Sequence, residues 1–493
     1  MESAAWSFDL LASCLRVFVV NMFSLDIETP NMTNPFTTFI PESLEARLQD
    51  GIQHALKLGA EGAEAFLSVS RSRKAKVQNG ALEDLTVSKR GGLGVRVIRA
   101  GGKGFRTGLA TTTDLAAPDF RHLFTQAWEL SALGDEDRWL RQADPTGTDD
   151  LPSRFNAAIE AITPEQRIAW ALDLEAQARR ASTKVAAVRE SAWSDGSGAS
   201  LLLTQKGVRT PDVYSSCSAS IELAVADGEE RQAAWHWDVS RRPNLNLAAI
   251  GAEAALKGER KLNPQRLPAG KYAVVLHPEV AVDLLGIVAG MLDAESVIKQ
   301  RSLFAGKLGE PIASPLLTLV DDGRLAEGPG CPALGTEPWD AEGLPTRRNV
   351  LLEGGVLKTY LHTLKTAAEM GMTPTASAGR GFGSQPSATT FNLFPLPGDA
   401  APEALYRMAG NGVLITEIMG LHTVDPVSGD LSVGASGIRI RDGVLAEPVD
   451  KLTFAGNLRD FLTRIAALGN DLRWYGSSAG LSILLEDIAL GGA

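Results

Sequence analysis

Between Met419 and Asp471 the chain reads MGLHTVDPVSGDLSVGASGIRIRDGVLAEPVDKLTFAGNLRDFLTRIAALGND. Glycine turns alternate with short β-prone runs, and the stretch carries two Gly-Asn steps, Gly456-Asn457 and Gly469-Asn470. Runs this short, punctuated by residues that accept positive φ, read as strands joined by tight turns. Strand signals dominate from Gly270 onward, interrupted by helices expected at about 279–293, 362–370 and 458–467. Residues 263–493 are therefore expected to form a strand-rich C-terminal domain with a large, mostly antiparallel sheet.

The preceding chain mixes both periods, so the whole reads as α+β. Leu44, Leu48, Ile52 and Leu56 have helical spacing. AEAFLSVS and AKVQ then lead through Asn79-Gly80 to ALEDLTVS, and Asn-Gly nucleates a two-residue hairpin. A second hairpin is expected around Gly101-Gly102, and Asp114 is expected to cap a helix running to about Leu133. Residues 36–145 thus form one α+β domain, ending in a polar, proline-bearing linker from Gly134 to Pro152. Thr163-Pro164-Glu165-Gln166 is a helix start with a hydroxyl cap, proline in the first turn and a returning glutamine, and that helix ends near Arg180. Strand-like runs at 184–194, 200–204, 210–225 and 231–239 and a helix from Leu247 to about Lys261 complete a middle α+β region, 146–262. Pro264 and Pro268 mark its end. Residues 1–35 read as a loosely ordered extension, with Met22 and Met32 as alternative starts. Its apolar piece LLASCLRVFVV is short, broken by Arg16 and preceded by Glu2 and Asp9, which argues against a secretory signal.

At 493 residues the chain is long enough for two or three domains, and 44% apolar with 22% charged residues is an ordinary soluble composition. A net charge of −11 opposes nucleic-acid binding, which needs a basic face. The three cysteines (Cys14, Cys217, Cys331) have no CxxC or metal-ligand spacing, which fits a reducing cytoplasm. No apolar run approaches the roughly 20 residues of a membrane span.

Four further segments stand in a recognisable order: VDDG (320–323), DAEGLPT (340–346), LLEGGVLKTYLH (351–362) and NLFPLPG (392–398). With the 419–471 stretch they give an acidic-Gly turn, a strand, a Gly-Gly hairpin, a second strand and a helix. In this form the chain resembles the TldD/PmbA family over roughly 50–490, most specifically from Gly270 onward. The TldD branch is a zinc peptidase marked by His-Glu-x-x-x-His, and this sequence contains no such motif. It looks like the PmbA (TldE) branch. The family's older label, modulator of DNA gyrase, is not to be read as DNA binding at this charge.

In the peptidase branch the resemblance implies two His ligands on one helix and a Cys near the C-terminus, with the Glu after the first His as base. The matching passage here is KYAVVLHPEVAVDLLG. His277 stands at the first ligand post, Pro278 replaces the Glu, and Val282 replaces the second His. Ser477 and Ser478 replace the Cys-Gly pair. One ligand of three does not hold zinc, so no catalytic, cofactor-binding or metal residue is expected, and His277 is the single candidate left. Its simplest role is to precede a proline-initiated helix, with Glu279 favoured by the helix dipole.

The resemblance implies a non-catalytic subunit of a TldD/TldE-type metallopeptidase complex. Zinc belongs to a TldD-like partner, the pair encloses a chamber for unfolded peptides, and peptide capture by strand addition would suit the C-terminal domain. Two alternatives stay open: a metallopeptidase in its own right with an atypical metal site, and a stand-alone peptide-binding protein.

The remaining chemistry-bearing residues have plainer readings. His236 lies between Trp235 and Trp237 on a strand, and His362 starts a helix with Thr366, not a ligand, four places on. His54 and His122 lie on N-terminal helices, and His422 has a turn-stabilising role. Gly476-Ser477-Ser478-Ala479-Gly480 matches GxSxG, but a nucleophile elbow needs a following helix and a later His, and His422 is the last histidine. The pairs Asp321-Asp322 and Asp340/Glu342 are candidates for a hard cation or a shared proton, with turn chemistry the stronger reading. The glycine-rich pieces GGLG, GGKG and GRGFG lack phosphate-binding context and read as hairpins and loops.

Overall fold

The computed structural model describes residues 34–147, 150–328 and 330–492, together with the backbone of 17–21. Strand β1 (Val17–Asn21) falls within the expected extension; the rest of 1–33, Cys14 included, lies outside the described residues. Helices α1 (Pro35–Phe39) and α2 (Glu42–Lys57) follow, then strands β2 (Gly62–Gln78), β3 (Ala81–Ala100) and β4 (Phe105–Thr112), and helix α3 (Arg121–Ser131). Next come α4 (Ala157–Glu160) and α5 (Pro164–Ala181), strands β5 (Val185–Thr204), β6 (Arg209–Asp227) and β7 (Glu230–Ser240), and α6 (Leu247–Glu259).

All seven strands belong to one sheet of order β1-β3-β2-β5-β6-β7, with β4 also on β3. Twenty-residue β3 pairs with β2 along one edge and serves two neighbours on the other: β1 runs parallel to Leu85–Lys89, and β4 antiparallel to Leu93–Ala100. The central antiparallel pair β2–β5 runs from Glu64↔Thr204 to Val77↔Ser191, so one ladder joins residues on both sides of the 134–152 linker. Asn79 and Gly80 take positive φ (47° and 77°) and close the β2–β3 hairpin at Gln78↔Ala81, as an Asn-Gly step should. The Thr163 capping box forms as expected: the Gln166 N–H donates to Thr163 Oγ1 at 3.3 Å, and the Thr163 N–H to Gln166 Oε1 at 2.9 Å.

Two expectations are corrected here. Residues 184–194 and 200–204 are one strand, β5, because the polar link SDGSGAS stays extended with its side chains paired. Asp195 takes the Arg167 guanidinium and Ser197 donates to Glu160. Asp114 does not cap α3; it accepts from the Ala116 N–H at 3.1 Å, and the helix starts seven residues later, beyond Pro118. A proline there denies the helix a donor and clashes with the preceding turn. Helices α2 and α3 cover one apolar region of the sheet (Leu48, Ile52, Phe124 against Leu67, Leu93, Leu201). Helices α5 and α6 cover another (Leu174, Ile250, Ala254 against Trp193, Ile221, Leu223).

The C-terminal part begins with β8 (Gly270–Leu276) and α7 (Pro278–Gly290). It holds two six-stranded sheets, mostly antiparallel. In the first, β8 lies between Val413–Met419, which it pairs in parallel, and Ile483–Gly491, antiparallel to it. Strands 430–441 and 444–457 extend this sheet, and Thr453↔Gly491 and Phe454↔Leu490 close it on itself. The second runs 356–357, 348–353, 319–322, 393–395, 478–480, 473–475. Its terminal strands are two and three residues long, so these sheets offer little edge for strand addition. Among the described residues the longer free edge is β7, eleven residues in the N-terminal sheet. The expected helix at 458–467 is Leu458–Thr463, followed by strand Ile465–Leu468. Among the described residues no helix is long and apolar enough to cross a membrane.

The C-terminal part grips the N-terminal sheet through a loop. GRGFG (379–383) lies on GGLG (91–94), which is mid-strand in β3 and not a hairpin. A Cβ on Gly94 would come within 1.8 Å of the Phe382 carbonyl oxygen, and one on Gly92 within 2.5 Å of the Phe382 ring.

Candidate functional site

Strand β8 delivers His277 to the start of α7. Its backbone N–H donates to Ile415 O at 2.9 Å, so the turn out of the sheet is fixed before the helix begins. His277 is the N-cap: Nδ1 accepts from the Glu279 N–H at 3.3 Å, and Pro278 occupies the first turn. Accepting at Nδ1 leaves Nε2 with the ring proton of the neutral imidazole. Burial, then the charges of Lys257 and Arg473, push His277 down to about 4.

Pro278 and Val282, at two of the other positions the resemblance implies, lie at the start of α7. Val282 is buried one turn on, and Gly480 rests on that turn, where a Cβ would meet Pro278 O at 2.1 Å and Val282 N at 2.9 Å. The fold thus brings strand 478–480 onto the start of α7, with valine, proline and serine at the positions where the resemblance puts zinc-peptidase ligands and base. A zinc site of three protein ligands does not fit that set. Among the described residues no group of three His, Cys, Asp or Glu side chains converges as a metal cage. Ser478 leads a strand, Ser478–Gly480, followed by another strand, so GxSxG is no nucleophile elbow.

Two spaces flank the posts. His277 lines a cleft of about 180 Å³ with Trp235, Glu253, Lys257, Arg260, Glu279 and Asp283. Lys257 Nζ stands 2.5 Å from Glu279 Oε2 and 5.9 Å from the Trp235 ring centre. Next to it, buried His236 holds Nε2 at 3.0 Å from an Arg473 nitrogen; burial, Lys257, Arg473 and His277 push it down to about 3. Sequence reasoning kept His236 and His277 apart, and it missed Lys257, Arg473 and Tyr475, whose phenol has no hydrogen-bond partner among the described residues. The WHW alternation on β7 was the only local signal. Ser477 lines a different cavity, of about 530 Å³, between the N-terminal sheet (Phe66, Asp212, Tyr214) and the C-terminal part (Trp339, Asp340, Arg380).

The other candidates fall elsewhere. His54 meets Thr125 Oγ1 at 2.9 Å across the α2–α3 contact, and His122 is exposed on α3. His362 precedes its helix, Leu364–Met370, and its Nδ1 lies 3.4 Å from the Thr366 hydroxyl; burial pushes it down to about 4. His422 is exposed, and the bonds holding its turn come from Thr423 and Asp425. Asp322 caps a turn at the Arg324 N–H, 2.9 Å away. Asp321 departs from turn chemistry: it is a fully buried strand residue that accepts from the Phe391 N–H at 2.7 Å, and burial raises it to about 7. Asp340 accepts from the N–H groups of Glu342 and Leu344, both at 2.9 Å, as turn chemistry requires. Glu342 instead reaches the Leu364 N–H at 2.7 Å, and burial with the Asp340 charge raises it to about 8. Cys217 and Cys331 are buried free thiols, and burial raises Cys217 to about 12.

The chain is α+β in two parts, and strand 478–480 of the second C-terminal sheet lies across the strand-to-helix junction at His277. Three family models match: PmbA/TldA metallopeptidase domain 1 (63–131), central domain (158–262) and C-terminal domain (269–492). The chain belongs to the PmbA/TldD metallopeptidase family. It is 26% identical to metalloprotease PmbA of Escherichia coli O157:H7, over 90% of this chain and 96% of that one. A solved structure from Thermotoga maritima superposes with TM-score 0.81 at 24% identity, over 91% and 100% of the two chains. TldE from Thermococcus kodakarensis superposes at 0.78 with 20% identity, over 91% and 100%. At these identities the superpositions establish the fold.

Proposed function

We propose that this chain is the non-catalytic, TldE-like subunit of a cytoplasmic TldD/TldE-type metallopeptidase that processes unfolded peptides, with zinc held by a TldD-like partner chain. The observation that carries the reading is the composition of the posts. Only His277 has a ligand side chain, its Nδ1 is committed to capping α7, and Val282 and Ser477 supply no companion. Pro278 at the base position offers no group to take a proton from water. The chain retains the family framework and the spaces around the posts, which suits a wall of a shared chamber. The test is peptide hydrolysis by this chain, by a partner bearing His-Glu-x-x-x-His, and by their mixture, with metal analysis of each. Hydrolysis confined to the mixture or the partner is the expected outcome. Stoichiometric zinc or turnover in the isolated chain overturns it.

A further inference from the structure

We propose that the cavity of about 530 Å³ beside Ser477 holds a peptide carboxylate on Arg380, an inference that rests on the peptide-handling reading above. Arg380 reaches from the 379–383 loop into a buried cluster with Glu64, Arg96 and Gln142. The Glu64 carboxylate is fully used there. Oε1 accepts from Arg96 Nε at 2.9 Å and from Arg380 Nη1; Oε2 accepts from Arg96 Nη2 and Gln142 Nε2, each at 2.9 Å. Four donors exhaust a carboxylate. A second carboxyl, Glu342, acts on both guanidiniums, but raised to about 8 it keeps its proton near neutral pH, so two guanidiniums share one anion there and one positive charge is left over.

The surplus sits on Arg380. Among the described residues its Nε and Nη2 have no hydrogen-bond partner although the side chain is 3% exposed, and such bare buried donors are costly. Phe66 covers the guanidinium from 4.7 Å, but a ring face does not satisfy N–H groups that point along the guanidinium plane. Anchoring the loop explains the bond to Glu64 and not the two bare nitrogens. Burial weakens the hold of Arg380 on its proton more than Glu64 restores it, as expected for an undercompensated cation. The other charges at the cavity have partners of their own: Asp212 and Glu337 share Arg154 and both act on the nearby Arg241 charge, and Asp340 accepts from backbone N–H groups. A carboxylate is the group that fits, since it is anionic and matches a guanidinium's parallel donors. Phe66, Tyr214, Trp339 and Phe382 supply apolar walls for the residues that carry it.

The experiment is calorimetric titration of the isolated full chain, near neutral pH, with a short unstructured peptide in three forms. One has a free C-terminus and acidic side chains, one is amidated, and one has every Asp and Glu replaced by Asn and Gln. Removing the responsible carboxylate is expected to weaken binding about tenfold or more. The form that weakens tells a terminal carboxylate from a side chain, and either result supports the site. Arg380→Gln, with its melting temperature checked, is expected to abolish the difference between forms. Ser200→Trp, which fills the cavity and leaves the Glu64 cluster untouched, is expected to abolish binding. Equal binding of all three forms, no binding up to about 1 mM, or a difference that survives Arg380→Gln overturns the proposal. Binding is read on the isolated chain and hydrolysis on the mixture, so either idea can fail alone.

Discussion

On the proposed function, His277→Ala removes a cap and nothing that touches a reacting atom. It is expected to cost about 1 kcal/mol of stability and to leave hydrolysis by the mixture within about twofold; a loss of several orders of magnitude returns His277 to the catalytic residues. The buried histidines also set an acid limit. His277 and His236 have folded values pushed down to about 4 and about 3, below the 6.5 of the unfolded chain. Their contribution to stability is whole above that value and is lost as pH falls towards the folded values. Glu342 acts in the opposite sense. Raised to about 8 from 4.5, it stabilises fully below 4.5 and progressively less as pH rises through 8. Glu342→Gln keeps an oxygen for the Leu364 N–H and cannot ionise, so its melting temperature should exceed that of the parent by a margin growing from pH 5 to pH 9. A margin constant with pH refutes the assignment. At this scale the sequence shows which residues stand at 277, 278, 282 and 477, because identity is local. It does not show their company: His236 meets Arg473 across 237 residues, and Glu64 meets Arg380 across 316.

Elements defined by local chemistry were legible. The Asn79-Gly80 hairpin and the Thr163 box need only neighbours in sequence, and Thr163→Ala should cost about 1 kcal/mol in urea unfolding. Strand β5 was not legible through SDGSGAS, because its polar residues are stabilised by Arg167 and Glu160 from other elements rather than by an alternating apolar face. The glycines of GGLG were read as turn formers, whereas they clear space for the 379–383 loop. Gly94→Ala should therefore push the Phe382 backbone away, costing at least about 2 kcal/mol. Limited proteolysis should then cut near residues 380–384, where the parent resists; an unchanged digestion pattern counts against the docking role.

At the scale of the molecule, the α+β class and the strand-rich C-terminal half follow from turn spacing in the sequence, and the family follows from motif order. The single sheet that spans the first two regions does not, since pairing β2 with β5 depends on contacts more than a hundred residues apart. That shared ladder has a practical corollary for anyone dissecting the protein. A protease nick in the 134–152 segment severs the polypeptide without separating its pieces, because fourteen paired residues of β2 and β5 still clasp each other like the two halves of a zip. The halves should co-elute after cleavage and part only under denaturant, and expressing either alone should expose a bare central strand that invites self-association.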